Sequence, residues 1–171
     1  IRPKCTLPVS EVRSVWTRRL NTPHLNDGII FTPNTTVMAT TRVYKWKPLH
    51  TIDVHIFKDD TKPYISQSNQ LVPQLTINDR QKVYHLDEVR TNILVKSYFE
   101  KNIDKEFVIV ECTCDISSHD NKVSFLPIRI RMDKTKPNNA YVTKETLINI
   151  KENLKFTDLV EKDKKSKKRD R

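Results

Sequence analysis

Apolar residues alternate with polar ones along much of the chain, and this alternation predicts β-strands. The strongest strand signal is EFVIVECTCDI, in which apolar and β-branched side chains dominate. Shorter strands are predicted from TTRVYKWKP, TIDVHIF and VSFLPIRIRM, and from the buried run DGIIFTP, which ends at Pro33. In the less regular middle of the chain, QLVPQLTI and QKVYHL also favour strands.

Two other segments repeat their apolar residues at the spacing of an amphipathic helix. The first is SEVRSVWTRRL, with Ser10 as its predicted N-cap, and the second is TKETLINIKENLKF, with Thr143 in the same role. The segment EVRTNILVKSYFEKN fits either a helix or a strand followed by a turn. This order of elements predicts an α+β fold whose second portion forms a small barrel.

Composition limits the turns and the partners of this fold. With one glycine and nine prolines in 171 residues, tight turns must rely on asparagine, aspartate and proline. The net charge of +10 favours anionic partners, although part of it lies in the tail EKDKKSKKRDR, which we interpret as a solvated extension. No apolar run is long enough to span a membrane. The three cysteines are interpreted as reduced thiols of an intracellular protein.

The segment YKWKP contains the first candidate site. Alternation along a strand places Lys45 and Lys47 on one face and Trp46 on the other. Two ammonium groups so close together are unfavourable unless an anion lies between them. The pair therefore indicates a phosphate site, and the alternative is an amphipathic strand with a solvated face.

The segment RIRMDKTKPN contains the second candidate site. Arg129 and Arg131 share one face of a predicted strand, and Asp133 and Lys134 follow directly. Guanidinium groups suit bidentate contacts with phosphate, and Asp133 is expected to orient an arginine through an ion pair. The alternative is a basic edge strand that protects a sheet from aggregation.

In this order, DGIIFTP, YKWKP…TID, FVIVEC and RIRMDKTKPN resemble the last collinear motifs of the covalent nucleotidyltransferases. The proline after K-W-K, the aspartate before Gly28 and the D-K-x-x-P-N ending resemble the mRNA capping guanylyltransferases of large DNA viruses or virus-like elements. The resemblance implies three segments: the end of a nucleotidyltransferase domain at 1–57, an OB-fold barrel with a closing helix at 58–155, and a basic tail or linker at 156–171.

Such enzymes transfer GMP from GTP to a lysine and then to the 5′-diphosphate end of nascent mRNA, with Mg²⁺ or Mn²⁺. The resemblance implies that Asp27 lies near the α-phosphate and the metal, and that Lys45 and Lys47 hold the α-phosphate. Asp53 would support those lysines or the metal. The resemblance also implies that Arg129, Arg131 and Lys134 bind the β- and γ-phosphates, with Asp133 as their orienting partner. For Glu111, in VECT, we expect a structural role.

One departure from the family is serious, because no K-x-D-G nucleophile motif occurs in the 171 residues. The resemblance therefore predicts the C-terminal half of a guanylyltransferase, inactive without an N-terminal portion that carries the nucleophile. A methyltransferase domain or subunit is a further expected partner. The expected location is the cytoplasm or virions for a cytoplasmic virus, and the nucleus otherwise. Two alternatives are a non-catalytic, basic OB-type RNA-binding module and the C-terminal half of an RNA or DNA ligase.

Overall fold

The computed structural model describes residues 6–21, 27–34, 43–77, 80–117 and 122–160. The chain divides into two compact units. The first, called the split unit below, comprises Ile1–Leu49 and Leu154–Arg171, and the second, called the barrel unit, comprises His50–Asn153. This division differs from the expected boundary at residue 57, because the strand Ile52–Phe57 pairs on both sides with strands of the barrel unit.

The described part of the barrel unit forms one seven-stranded sheet. Its strands are β3 (Ile52–Phe57), β4 (Asp60–Gln67), β5 (Gln70–Val72), β6 (Gln74–Ile77), β7 (Arg80–Leu86), β8 (Phe107–Ile116) and β9 (Lys122–Ile130). Their order across the sheet is β5-β4-β3-β8-β9-β7-β6, and only β7 and β9 run parallel. Because β4 also contacts β7, the sheet closes almost into a barrel, as an OB-fold does.

Alternation along the central strands separates the barrel core from the outer face of the sheet. Ile52, Val54 and Ile56 point inward and are almost fully buried together with Val110 and other apolar residues. Cys112 and Cys114 also pack in this core or against it, and burial raises the pKa of both thiols. Both cysteines are free, which agrees with the prediction of reduced thiols, while Cys5 lies outside the described residues.

Two asparagines and one serine supply left-handed positions in the described part of this glycine-poor chain. The turn between β4 and β5 has positive φ at Ser68 (48°) and Asn69 (65°), as a two-residue hairpin turn requires. Asn153 (φ 46°) ends the C-terminal helix of the barrel unit in the same conformation.

Both predicted helices are present but their caps differ, and the segment for which the pattern left a helix and a strand open is helical. Segment 88–101 contains α2 (Glu88–Thr91), a π-helical turn (Asn92–Lys96) and α3 (Ser97–Lys101), and the last helix is α4 (Ala140–Glu152). The Oδ1 of Asn139 caps α4 by accepting from the Val142 amide at 2.8 Å. The predicted cap Thr143 is wrong, because this residue lies fully buried inside the first turn of α4.

In the split unit, α1 (Val12–Arg18) precedes the two-stranded sheet of β1 (Ile29–Phe31) and β2 (Tyr44–Trp46). A 3₁₀ turn, Val9–Glu11, leads into α1, so the predicted Ser10 cap is wrong; no side chain caps the helix. Residues 156–160 are helical. Within the described residues, no helix is long and apolar enough to cross a bilayer.

Candidate functional site

The first cluster of charged side chains belongs to the split unit and depends on a close approach of two backbones. β1 and β2 pair antiparallel, with Ile29 opposite Trp46. Gly28, just before β1, has φ 151°, and a Cβ there would lie 1.9 Å from the Trp46 carbonyl oxygen. Only glycine allows this approach, which brings Asp27 next to the residues that flank Trp46.

Asp27 lies between the two predicted lysines. Its Oδ2 is 3.3 Å from the Lys45 Nζ and 3.5 Å from the Lys47 Nζ. The hydrogen bond from Lys45 and the nearby charge of Lys47 lower the pKa of the Asp27 carboxyl. The predicted shared face of the two lysines is present, and the anion that lies between them is a side chain of the protein, while the phosphate site stays a prediction. One positive charge remains in excess, and Asp27 and Lys45 are exposed to solvent while Lys47 is half-buried.

The opposite face of β2 is held firmly by Trp46, which is 8% exposed. Its Nε1 donates to the Leu154 carbonyl at 2.8 Å. Its ring packs edge-on against Trp16, with 5.0 Å between centroids, and in a tilted arrangement against Phe156, with 5.6 Å between centroids. This packing fixes the direction in which the flanking lysines leave the strand.

The second cluster of charged side chains lies on the outer face of the barrel unit. Register places Asp53 of β3 opposite Glu111 of β8, and Glu111 opposite Arg129 of β9. The three side chains therefore form one row across the sheet. Glu111 accepts from the Arg129 Nε at 2.5 Å and from the Thr51 hydroxyl at 2.8 Å. Burial alone would raise the pKa of Glu111, but these hydrogen bonds outweigh it, and the pKa is lowered.

Arg131, just beyond β9, connects all three carboxylates of the cluster. Its Nε and Nη2 donate to Asp133 at 2.9 and 2.7 Å. Its Nη1 lies 3.2 Å from the Asp53 Oδ1 and 3.5 Å from the Glu111 Oε2. The bidentate pair raises the pKa of Arg131 and lowers that of Asp133. The predicted ion pair between Asp133 and an arginine is therefore present.

Lys134 and Asn138 attach the segment after β9 to β3. The Lys134 ammonium group donates to Asp53. The Asn138 side-chain oxygen accepts from the Asp53 amide at 2.7 Å, while the Asn138 amide donates to the Asp53 carbonyl at 2.8 Å. Asp53, which is 5% exposed, thus holds the segment that carries Asp133 and Lys134. The expectation that Asp53 supports Lys45 and Lys47 differs from this geometry, because its described partners are Arg131 and Lys134.

The cations of the second cluster differ in how much binding capacity they retain. Three cations face three carboxylates, so the cluster is formally neutral. Arg131 is saturated, and its side chain is 17% exposed. Arg129 uses only its Nε with a described partner, and its side chain is 65% exposed. The side chain of Lys134 is 36% exposed. An added anion can therefore reach Arg129 and Lys134 more easily than Arg131.

Sequence reasoning missed the roles of Glu111 and Asn138. Asn138 appears only as the end of a motif, and Glu111 is expected to be structural. The signal that could have found them is register, since pairing TIDV against VECT places Asp53 opposite Glu111. That pairing joins residues far apart in the chain.

Asp27 is the predicted ligand of the expected divalent metal. The Oδ2 of Asp27 contacts both lysines, which leaves its Oδ1 as an oxygen ligand of the kind that Mg²⁺ prefers. Among the described residues, no group of three or more histidine, cysteine, aspartate or glutamate side chains could hold a metal ion. Asp27 therefore fits a metal that takes one carboxylate and completes its shell with substrate phosphates and water.

The fold and the two clusters define an α+β protein with an OB-type barrel and phosphate-compatible cations. Comparison with family models gives the same class, since the model described as "mRNA capping enzyme, C-terminal domain" matches residues 29–160. The chain belongs to this family, and its role is in mRNA capping. A search among curated proteins gives no match.

Proposed function

We propose that the chain takes part in guanylyl transfer, in which GMP passes from GTP to a lysine and then to the 5′-diphosphate end of mRNA. The observation that carries this proposal is the family match over residues 29–160, which spans Lys45, Lys47 and the Arg131–Lys134 segment. In the transfer, the lysine amine attacks the α-phosphorus, pyrophosphate leaves, and the RNA diphosphate then displaces the lysine.

Lys45 and Lys47 bind the α-phosphate in this proposal. What supports it is that both ammonium groups converge within 3.5 Å of one carboxylate oxygen, so an anion placed beside Asp27 can contact both. Their charge stabilises the additional negative charge that develops as pyrophosphate departs. The aromatic packing of Trp46 keeps the pair oriented before the substrate arrives.

Arg129 and Lys134 bind the β- and γ-phosphates, and Arg131 and Asp133 position them. The exposure of Arg129 and Lys134 supports this division, as does the saturation of the Arg131 guanidinium by carboxylates. A triphosphate competes with Glu111 for Arg129 and with Asp53 for Lys134. We therefore expect Glu111 and Asp53 to weaken the binding of the β- and γ-phosphates, so that pyrophosphate can dissociate after the transfer.

Asp27 contributes one oxygen to Mg²⁺ or Mn²⁺ when the metal binds with the nucleotide. The metal would supply charge neutralisation at the phosphate oxygens. The nucleophilic lysine comes from an N-terminal nucleotidyltransferase portion, because K-x-D-G does not occur in these 171 residues. A methyltransferase domain or subunit is a further partner in this proposal.

The charge distribution counts against a basic RNA-binding barrel as the alternative. Residues 50–153 contain 15 lysines and arginines and 15 aspartates and glutamates. A barrel unit without net charge lacks the excess positive charge with which a nucleic-acid-binding protein attracts phosphates.

The test of guanylyl transfer combines the chain with a nucleotidyltransferase portion that carries K-x-D-G, radiolabelled GTP and Mg²⁺. We expect a covalent protein–GMP adduct that Lys45→Ala or Lys47→Ala abolishes, because each removes an α-phosphate contact. Lys105→Ala, at an exposed lysine outside both clusters, is the matched control. Labelling by ATP in place of GTP, or full labelling of both lysine variants, would contradict the proposal.

A further inference from the structure

A cavity of about 380 Å³ lies within the barrel unit, away from both clusters in sequence and in its lining. β4 contributes Lys62, β7 contributes Tyr84 and His85, and the helical segment contributes Glu88, Thr91 and Lys96. Its volume lies within the range of small-molecule sites, which begins at about 300 Å³. The guanylyl-transfer proposal assigns no role to any of these residues.

Two lysines line the cavity without forming an ion pair to another described residue. Lys62 and Lys96 come from separate elements, and both are exposed. His85 and Glu88 are also exposed at the cavity. Lysines that converge on a cavity act as point charges for a phosphate, and a carboxylate such as Glu88 accepts hydrogen bonds from ligand hydroxyl groups.

Two further features of the same walls are unusual. Lys96 ends a five-residue π-helical turn, a rare geometry that occurs frequently at functional sites. Tyr84 is 2% exposed, and its buried hydroxyl has no hydrogen-bond partner among the described residues.

We propose that this cavity binds a phosphorylated nucleoside, with its phosphate between Lys62 and Lys96 and its sugar hydroxyls toward Glu88. The volume, the two ammonium groups and the single carboxylate together favour this class over a purely apolar or a purely anionic ligand. The ligand is either a free mononucleotide or one nucleotide of an RNA strand. The proposal stands independently of guanylyl transfer, since its residues lie outside both clusters.

The test follows the amide resonances of the ¹⁵N-labelled chain while GMP is added. We expect saturable shifts around Lys62, His85 and Lys96, and affinity reduced about tenfold or more by Lys62→Ala or Lys96→Ala, since each removes a charged hydrogen bond. Lys151→Ala, at an exposed lysine of α4, should bind GMP as the unchanged chain does. Guanosine, which lacks the phosphate, should bind about tenfold more weakly than GMP for the same reason.

Equal affinity for guanosine and GMP, shifts confined to other residues, or unchanged GMP affinity in both cavity variants would overturn the proposal. A 5′-phosphorylated tetraribonucleotide distinguishes the two sources of the ligand. Tighter binding than GMP, still abolished in Lys62→Ala, would identify RNA, and binding no tighter than GMP would identify the free nucleotide. Both variants keep the two clusters intact, so loss of GMP binding here with normal protein–GMP labelling separates this site from the transfer site.

Discussion

His55 shows how strongly one side chain can depend on its surroundings. It is 5% exposed, and its ring centroid lies 4.4 Å from those of both Phe57 and Phe107. Its Nδ1 is buried without a partner among the described residues. Burial lowers the pKa of this imidazole, because an apolar environment disfavours the charged form.

We predict that His55 makes the barrel unit less stable in mild acid. In the unfolded chain the imidazole binds a proton near its ordinary pKa of about 6.5, whereas the folded chain resists protonation until a lower pH. The full stability is therefore present above about pH 6.5 and is lost as the pH falls from about 6.5 to the folded pKa, by at most about 1.4 kcal/mol per pH unit.

Urea unfolding followed by circular dichroism between pH 7.5 and 5 measures this loss. His55→Phe keeps the aromatic packing and should flatten the pH dependence. If His55→Phe loses stability as steeply as the unchanged chain, the assignment is wrong.

Single residues could be predicted from the sequence where the chemistry is local. Alternation places Lys45 and Lys47 on one face, and the Arg131–Asp133 pair spans only two positions. The partners of Asp53 could not be predicted in this way, because Arg131 and Lys134 lie 78 and 81 positions further along the chain. That contact exists only once β3, β8 and β9 have paired.

Hydrogen bonds of Asn138 attach the segment between β9 and α4 to two strands of the barrel unit. Besides its two bonds to the Asp53 backbone, Asn138 accepts from the Ser66 amide at 3.0 Å through its own carbonyl. One residue thus connects β3, β4 and the segment that carries Asp133 and Lys134. The side chain supplies one of these bonds, so substitution can remove it while the backbone bonds remain.

We predict that Asn138→Ala destabilises the barrel unit by about 1–2 kcal/mol, because the Asp53 amide loses its acceptor in a largely buried position. Amide hydrogen exchange should show faster exchange at Asp53, and urea unfolding should show the lower stability. Asn149→Ala, at an exposed position of α4, is the matched control. Unchanged exchange at Asp53 would mean that the Asn138 side-chain hydrogen bond does not stabilise this part of the barrel unit.

At the scale of elements, the long apolar strands and both amphipathic helices could be predicted, whereas β4 could not. Its sequence, DTKPYISQ, lacks clear alternation and contains Pro63, which normally argues against a central strand. β4 nevertheless lies between β5 and β3, with a register shift beside β3 that accommodates it. The predicted caps of α1 and α4 are also wrong, because tertiary contacts bury Thr143 and a 3₁₀ turn starts α1 early.

At the scale of the whole chain, positive charge is segregated by unit. The barrel unit is formally neutral, so the net charge of +10 belongs entirely to residues 1–49 and 154–171. Composition predicts an anionic partner, but not which unit attracts it, because the division into units follows from the strand pairing. Outside the barrel unit, the family match covers only residues 29–49 and 154–160. These residues carry only a few of the positive charges, among them Lys45 and Lys47.

We predict that cations of the split unit dominate the electrostatic attraction of RNA. Arg13 and Arg18 are exposed on α1, and the double variant Arg13→Ala/Arg18→Ala should reduce the slope of log affinity against log salt. The reduction is about 0.7 for each phosphate of a single strand that the variant no longer neutralises. Lys101→Ala/Lys151→Ala removes the same charge from exposed positions of the barrel unit and should leave the slope nearly unchanged. Fluorescence anisotropy of a labelled oligoribonucleotide at several salt concentrations gives both slopes, and a larger change for the barrel pair would show that local geometry, not net charge, directs RNA to the chain.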